Sequence, residues 1–251
     1  MQPKLPVPSR LHGTEGHYHP CRQCPLRQQG QCSVTVSGGL PVNGELPVSF
    51  SVNGPRQTIC RRDDPSPEVL VVCSGWACRY QTLPDGQRQI TEFLLPGQMV
   101  MIAGPFRTRY SASVQTLTTV RTARLDRASM VNLLIRQPAL LQHIAQSCVD
   151  DADVLEQRLA DLGRCSALTR IARLMAGLID RLTERGMLDG DRCAFPVRHE
   201  QLADATGLTS IHVGRKLRQL RDNKVLELSR GQLQIWDRPR LRHIAQLTER
   251  N

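Results

Sequence analysis

Residues 197–236 read VRHEQLADATGLTSIHVGRKLRQLRDNKVLELSRGQLQIW, and this stretch decides the fold of the C-terminal region. Its apolar residues have the spacing of two short helices that share one apolar face: Leu202, Ala205, Leu208, Val213, Leu217 and Leu220. Gly207 lies between these helices, where the chain must turn sharply. Glycine suits this position because it takes a positive φ without strain. Thr209 can cap the second helix by accepting from the free N–H groups of its first turn. The stretch therefore predicts a helix-turn-helix.

Two short segments after the second helix predict a wing. Residues 225–228 and 233–236 have the pattern of strands, and residues 229–232 join them as a hairpin. Because turn, cap, basic helix face and wing agree, we predict a winged helix-turn-helix rather than an ordinary helical hairpin. Such a motif places its second helix in the major groove of double-stranded DNA. The residues predicted to bind DNA are Thr209, Ser210, His212, Arg215, Lys216 and Arg218.

The composition agrees with a polyanionic partner. The chain has 251 residues, enough for two domains, and a formal net charge of +10. Only 4% of the residues are aromatic, which argues against stacking platforms for single strands. No stretch approaches the ~20 apolar residues that cross a membrane, and the N-terminus has no apolar signal region. We therefore expect a cytoplasmic protein without a membrane partner, whose nine cysteines are thiols or metal ligands rather than disulfides.

The order of patterns along the chain predicts an α+β fold. Short strand patterns with a turn signal every ~8–12 residues fill residues 54–125, which is typical of a β-roll of the jelly-roll kind. A long helix follows at residues 137–162, with Pro138 near its first turn, and another helical stretch follows that. The predicted boundaries are an N-terminal segment 1–53, a β-roll 54–136, a long helix 137–163 and a winged helix-turn-helix domain 164–251.

This order resembles the Crp/Fnr family of bacterial transcription regulators. The resemblance is carried by SGWACRYQTLPDGQRQITEFLLPGQ at residues 74–98, ALTRIARL at 167–174 and QLADATGLTSIHVGRKLRQL at 201–220. It implies that a cyclic-nucleotide-binding-like roll senses a signal, that the long helix is a dimerisation helix, and that a homodimer binds palindromic operator DNA. It also implies RNA polymerase as a partner. An enzyme is not expected, since no nucleophile–base arrangement or phosphate-binding glycine loop is present.

The resemblance also assigns roles on the second helix of the DNA-binding motif. Arg215 matches an arginine that reads bases in the family, and the two earlier contact positions fall on Ser210 and Ile211. Ile211 cannot hydrogen-bond a base edge but can touch a thymine methyl, and His212 is the next outward residue. We expect Lys216, like Arg218, to contact phosphates.

The nucleotide-binding members have a cassette that begins Gly-Glu and ends Arg-Ser. Here the matching stretch runs from Gly97 and Gln98 to Tyr110 and Ser111, so that glutamine replaces the glutamate and tyrosine the arginine. Arg109 lies one residue away, but adjacent residues of a strand point to opposite faces. Cyclic AMP is therefore not the expected ligand.

Cysteines near the N-terminus resemble the cluster ligands of Fnr-type oxygen sensors. Cys21, Cys24 and Cys32 match three ligands of a [4Fe-4S] cluster, whose irons are held by thiolates. The strand position of the fourth Fnr ligand holds Ala123, so we predict Cys78 as that ligand, with Cys60 or Cys73 as alternatives. Two other hypotheses are a zinc site completed by His17 or His19, and regulation without a metal, through a small ligand or cyclic nucleotide in the roll.

The long helix contains a pattern typical of a two-stranded coiled coil. Steps of three and four residues join Leu141, Ile144, Cys148, Asp151, Leu155, Arg158 and Leu162. In this seam Asp151 would oppose its copy in the partner, and we predict that it weakens the dimer. The alternative is a local rotation that turns Ala152 and Leu159 to the partner and leaves Asp151 and Arg158 solvated.

Overall fold

A computed structural model describes residues 48–246, which begin with an antiparallel β-roll. Its strands are β1 (Val48–Asn53), β2 (Thr58–Cys60), β3 (Glu68–Ser74), β4 (Ala77–Thr82), β5 (Arg88–Leu94), β6 (Ser113–Thr116) and β7 (Val120–Asp126). They form two sheets, in the orders β1-β7-β3 and β2-β6-β4-β5. The two faces of β3 separate two cores: Leu70 and Val72 point into the roll, and Val69 and Val71 pack on helices outside it.

The roll begins earlier than the sequence predicts. β1 pairs with β7 over its whole length, with Phe50 opposite Ala123, so residues 48–53 belong to the roll and not to the N-terminal segment 1–53. The predicted boundary at residue 54 leaves this strand out, because β1 finds its partner some seventy residues later. No local turn signal marks such a pairing.

Two helices follow the roll, α1 (Arg127–Arg136) and α2 (Pro138–Arg164). Asp126 caps α1 by accepting from the backbone N–H of Ser129 at 2.7 Å. The second is the predicted long helix; its 27 residues, with Pro138 in the first turn, span about 40 Å. It ends one residue beyond the predicted boundary at 163. None of the helices within residues 48–246 combines the length and the apolar character needed to cross a membrane.

The predicted seam of the long helix is wrong at three positions. Ile144 is buried against the roll, Asp151 accepts from Arg79 of β4 at 3.3 Å, and Arg158 donates to the carbonyl oxygen of Thr91. All three therefore face their own protomer. Leu159 is 73% exposed, as the rotated alternative predicts, but Asp151 and Arg158 are bound to the roll rather than solvated.

The C-terminal domain is built from α3 (Ala167–Glu184), β8 (Arg192–Ala194), α4 (His199–Thr206), α5 (Ser210–Asp222), β9 (Leu226–Ser229), β10 (Gln232–Ile235) and α6 (Arg238–Ile244). The strands form a sheet of order β8-β10-β9. The wing is confirmed, but its loop is shorter than the predicted 229–232, since Ser229 already pairs with Gln232. Strand β8 is not predicted from the sequence.

The C-terminal domain packs directly on the outer face of the β4–β5 hairpin. The ring of Phe195 meets Trp76 edge to face, with centroids 5.6 Å apart and an interplanar angle of 70°. Phe93 and Ile90 of β5 belong to the same buried cluster as the apolar residues of α3. Arg88 of β5 also pairs with Asp204 of α4 at 3.1 Å. The roll and the C-terminal domain thus share one apolar core.

Candidate DNA-binding interface

The predicted turn between α4 and α5 is confirmed. Gly207 ends α4 in the left-handed conformation, with φ 63° and ψ 37°, which a residue with a side chain rarely adopts. A Cβ atom placed there would lie 3.1 Å from Cδ2 of Leu162, so the long helix closes the space beside this turn. The backbone conformation therefore favours glycine, and Leu162 leaves little room for a side chain at this position.

The predicted cap is also confirmed. Thr209 precedes α5, and its Oγ1 accepts from the backbone N–H of His212 at 3.3 Å. On its inner side α5 buries Val213, Leu217 and Leu220 in the domain core. These contacts orient the helix so that the opposite side faces solvent.

The outward face of α5 is centred on Ile211, Arg215 and Arg218, which follow one another at steps of four and three residues. Ile211 is 76% exposed, and both arginines are exposed. Within residues 48–246 neither arginine has an acidic partner within 4 Å, whereas Arg221 is paired with Asp222 at 3.2 Å. Two free guanidinium groups therefore flank an exposed apolar side chain. This face can meet guanine edges or phosphates and a thymine methyl.

The other predicted DNA-binding residues lie around this centre. Ser210 is exposed at the first position of the helix, and His212 is exposed on its flank. Thr209 uses its hydroxyl oxygen in the cap. Lys216 is half-buried, and its Nζ donates to Gln219 at 3.3 Å, so it points to the side of the face rather than to its centre.

The wing contributes a further basic residue that sequence reasoning missed. Arg230 and Gly231 form a two-residue loop in which both have positive φ, 51° and 74°, as a tight hairpin between twisted strands needs. Arg230 is exposed at the tip. The Arg-Gly pair between two short strands could have indicated it. Ile211 likewise could have been placed at the centre from its spacing to Arg215 and Arg218.

The positions assigned to a nucleotide cassette do not converge. Gln98 points away from the roll interior. Its Oε1 accepts from Arg181 of α3 at 2.5 Å, and its Nε2 donates to Glu92 at 3.2 Å. Arg109 is exposed and donates to the carbonyl of Asp63. Inside the roll, Met101 packs with apolar residues and accepts from Ser111 at 3.7 Å. The comparison of Gln98 with a ribose-binding glutamate is therefore wrong.

The proposed metal ligands fall into two groups. Cys21, Cys24, Cys32, His17 and His19 lie outside the described residues. Within residues 48–246, no three metal-binding side chains come together. Cys78 and Cys60 lie in apolar cores, and burial raises the pKa of their thiols to about 11 and about 12.

Cys73, by contrast, is half-buried on β3 and packs against the outer cluster that contains Ala123. The same sheet contains β1.

A β-roll, a long helix and a winged helix-turn-helix with an exposed basic face define a class of DNA-binding regulators. A model of the cyclic nucleotide-binding domain matches residues 54–137, and a model of the Crp-like helix-turn-helix domain matches residues 169–244. Together they cover more than half of the chain. The protein belongs to the Crp/Fnr family, whose members are transcription regulators and not enzymes.

Individual relatives match over most of their length. The chain is 26% identical over 234 residues to the nitrogen fixation regulation protein FixK of Bradyrhizobium diazoefficiens, covering 92% of this chain and 94% of FixK. It is 26% identical over 221 residues to the transcriptional activator protein FnrL of Cereibacter sphaeroides, covering 87% and 88%. The solved structure of FixK2 from Bradyrhizobium japonicum has the same fold, with a TM-score of 0.72 at 22% identity over 82% of this chain and 100% of that chain.

Proposed function

We propose that this regulator binds palindromic operator DNA as a homodimer in the cytoplasm and that α2 carries the dimer seam. The observation behind this proposal is an uncharged stripe along α2 that is largely exposed in the single protomer. It comprises Leu141, Ala145, Cys148, Ala152, Leu155, Leu159 and Leu162, at alternating steps of four and three residues. Alternation of this kind is the pattern of a two-stranded coiled coil.

A second copy of the chain is the occupant that fits this stripe. Leu141, Leu155, Leu159 and Leu162 are all exposed in the single protomer, and burial against a twofold mate would remove them from water. Each protomer offers one recognition helix, α5. A dimer offers two, which reach half-sites about one helical turn apart in the major groove.

Leu159→Asp tests the seam, because it places two carboxylates at the twofold contact. Ile135→Asp is the matched control, since Ile135 of α1 is 72% exposed and lies off the stripe. We expect Leu159→Asp to sediment as a monomer at low micromolar concentration and to bind operator at least tenfold more weakly, whereas the control keeps both properties. A Leu159→Asp protein that is still a tight dimer would contradict the assignment.

We further propose that the regulator senses oxygen or redox state through a [4Fe-4S] cluster held by Cys21, Cys24, Cys32 and Cys73. Thiolates are the ligands that such clusters need, and the cluster would supply chemistry that oxygen alters. Cys73 is preferred to Cys78 and Cys60 as the fourth ligand. It is half-buried against the cluster that contains Ala123, on the sheet that contains β1, whereas the other two thiols are buried in apolar cores.

The cluster proposal is tested on protein purified without oxygen. We expect bound iron and sulfide in the wild type, their loss in Cys73→Ala, and their retention in Cys193→Ala, a control at a buried cysteine of the C-terminal domain. Exposure to air should bleach the protein and lower its operator affinity. Zinc in place of iron would support the alternative with His17 or His19. A metal-free protein that still regulates would favour a small ligand as the signal. RNA polymerase stays a predicted partner.

A further inference from the structure

A cleft lies where the roll, the long helix and the DNA-binding domain meet. It has a volume of about 630 Å³ and is bounded by β4 and β5, the second half of α2, and α3. It is distinct from the apolar interior of the roll and from the outward face of α5. Its walls carry seven arginines and six acidic side chains, so its formal charge is positive.

The excess charge is concentrated beside β5. Glu92 accepts from Arg79 at 2.8 Å and from Arg181 at 3.3 Å, and Arg79 also pairs with Asp151 at 3.3 Å. Arg158 is the third guanidinium group here. Among the described residues it has no carboxylate within 4 Å, and its partner is the carbonyl oxygen of Thr91. Three guanidinium groups thus share two carboxylates.

Arg158 is poorly compensated as a cation. Burial lowers the pKa of its guanidinium group, and the nearby Arg181 and Arg79 lower it further, against the attraction of Glu92. A guanidinium group has five N–H donors, and most of those of Arg158 have no protein acceptor. An anion with several oxygen acceptors would satisfy both its charge and its donors.

A second arginine reaches the same cleft from α3. Arg170 donates from Nη1 to the carbonyl of Thr206 at 2.9 Å, but its buried Nε has no hydrogen-bond partner. A buried unpaired donor is uncommon in folded proteins and calls for an acceptor. Asp161 and Asp180, which also line the cleft, do not supply one, since Asp161 is paired with Arg173 and Asp180 with Arg242.

We propose that this cleft binds a phosphorylated small molecule of about nucleotide size. Phosphate oxygens would accept from Arg158 and Arg170, as planar guanidinium groups favour, and the organic part would lie on Val154 and Leu174. The volume is in the range of ~300–1,000 Å³ typical of small-molecule sites. Because the walls come from the roll, the long helix and α3, the bound molecule would hold the DNA-binding domain against the roll. This would be a second input, independent of a metal cluster.

Calorimetric titration of the full chain without DNA tests the proposal. The probes are ADP and ribose 5-phosphate, with adenosine as the uncharged control. We expect one ADP per protomer, no saturable binding of adenosine, and at least a tenfold loss of ADP affinity in Arg158→Gln and in Arg170→Gln. Arg136→Gln, at an exposed arginine outside the cleft, should bind as the wild type does.

Arg215→Gln separates this site from the DNA-binding face. If that variant loses ADP binding and the cleft variants do not, the anion binds at α5 and the proposal is overturned. Failure of every phosphate probe to bind at millimolar concentration would overturn it too. Circular dichroism checks folding, and Arg158→Lys, which keeps the charge but loses the planar fork, should bind more weakly than the wild type. Operator affinity, measured separately, would still report the proposed function if the cleft proposal failed.

Discussion

Phe195→Ala should destabilise the whole protein and not only the DNA-binding domain. Phe195 is 1% exposed, and the centroid of its ring lies 5.6 Å from that of Trp76 of the roll. Truncating a buried phenylalanine to alanine costs about 3–5 kcal/mol, because the cavity it leaves does not fully collapse. Of this, about 0.5–1.5 kcal/mol is the aromatic pair itself. In a chain of this size, the expected fall in melting temperature is roughly 6–20 °C.

Calorimetry and urea unfolding followed by tryptophan fluorescence measure this loss. One transition is expected, because the roll and the C-terminal domain share a buried cluster. Phe106→Ala is the control: Phe106 is 53% exposed, and its truncation should change stability by less than about 0.5 kcal/mol. Two separate transitions, with Phe195→Ala lowering only one of them, would refute the reasoning that the domains are docked through this contact.

Four further predictions concern single side chains. Arg215→Ala should lower discrimination between operator and random DNA by about 1–3 kcal/mol in gel-shift assays. Lys216→Ala should weaken binding to operator and to random DNA equally and make the affinity less dependent on salt. If Lys216→Ala lowered discrimination and Arg215→Ala did not, the two residues would have exchanged roles. Thr209→Ala should cost about 1 kcal/mol in urea unfolding through loss of the cap, and an unchanged midpoint would contradict this. Burial, with the charge of Glu92, raises the pKa of the Asp151 carboxyl despite the nearby Arg79. The folded protein therefore favours the protonated carboxyl, and this contribution to stability is lost as the pH rises through the raised pKa. Asp151→Asn should therefore be at least as stable as the wild type at pH ~7 and equal to it below pH ~4, and a less stable variant at neutral pH would show that the pair with Arg79 prevails.

The parts of the fold that the sequence predicts are those set by local chemistry. Gly207 and Thr209 determine a turn and a cap within a few residues, and both lie where expected. Strand β1 and strand β8 depend on partners far along the chain, so no local signal reveals them. The proposed fourth metal ligand is a question of the same kind. Which roll cysteine lies on the sheet that contains β1 depends on the strand order, and spacing alone does not contain that information.

The long helix shows why a correct pattern can still select the wrong face. Two stripes run along α2 at the same alternating steps and share Leu141, Cys148, Leu155 and Leu162. One is completed by Ile144, Asp151 and Arg158, and these residues bind the roll. Strands β3 and β7 contribute to the apolar core around Ile144, β4 offers Arg79, and β5 offers the carbonyl oxygen of Thr91. The other is completed by Ala145, Ala152 and Leu159, which nothing in their own protomer covers. In a coiled-coil seam Asp151 and Arg158 look like defects, but against the roll they fix the rotation of the helix about its axis. The roll therefore determines which stripe of the long helix stays exposed.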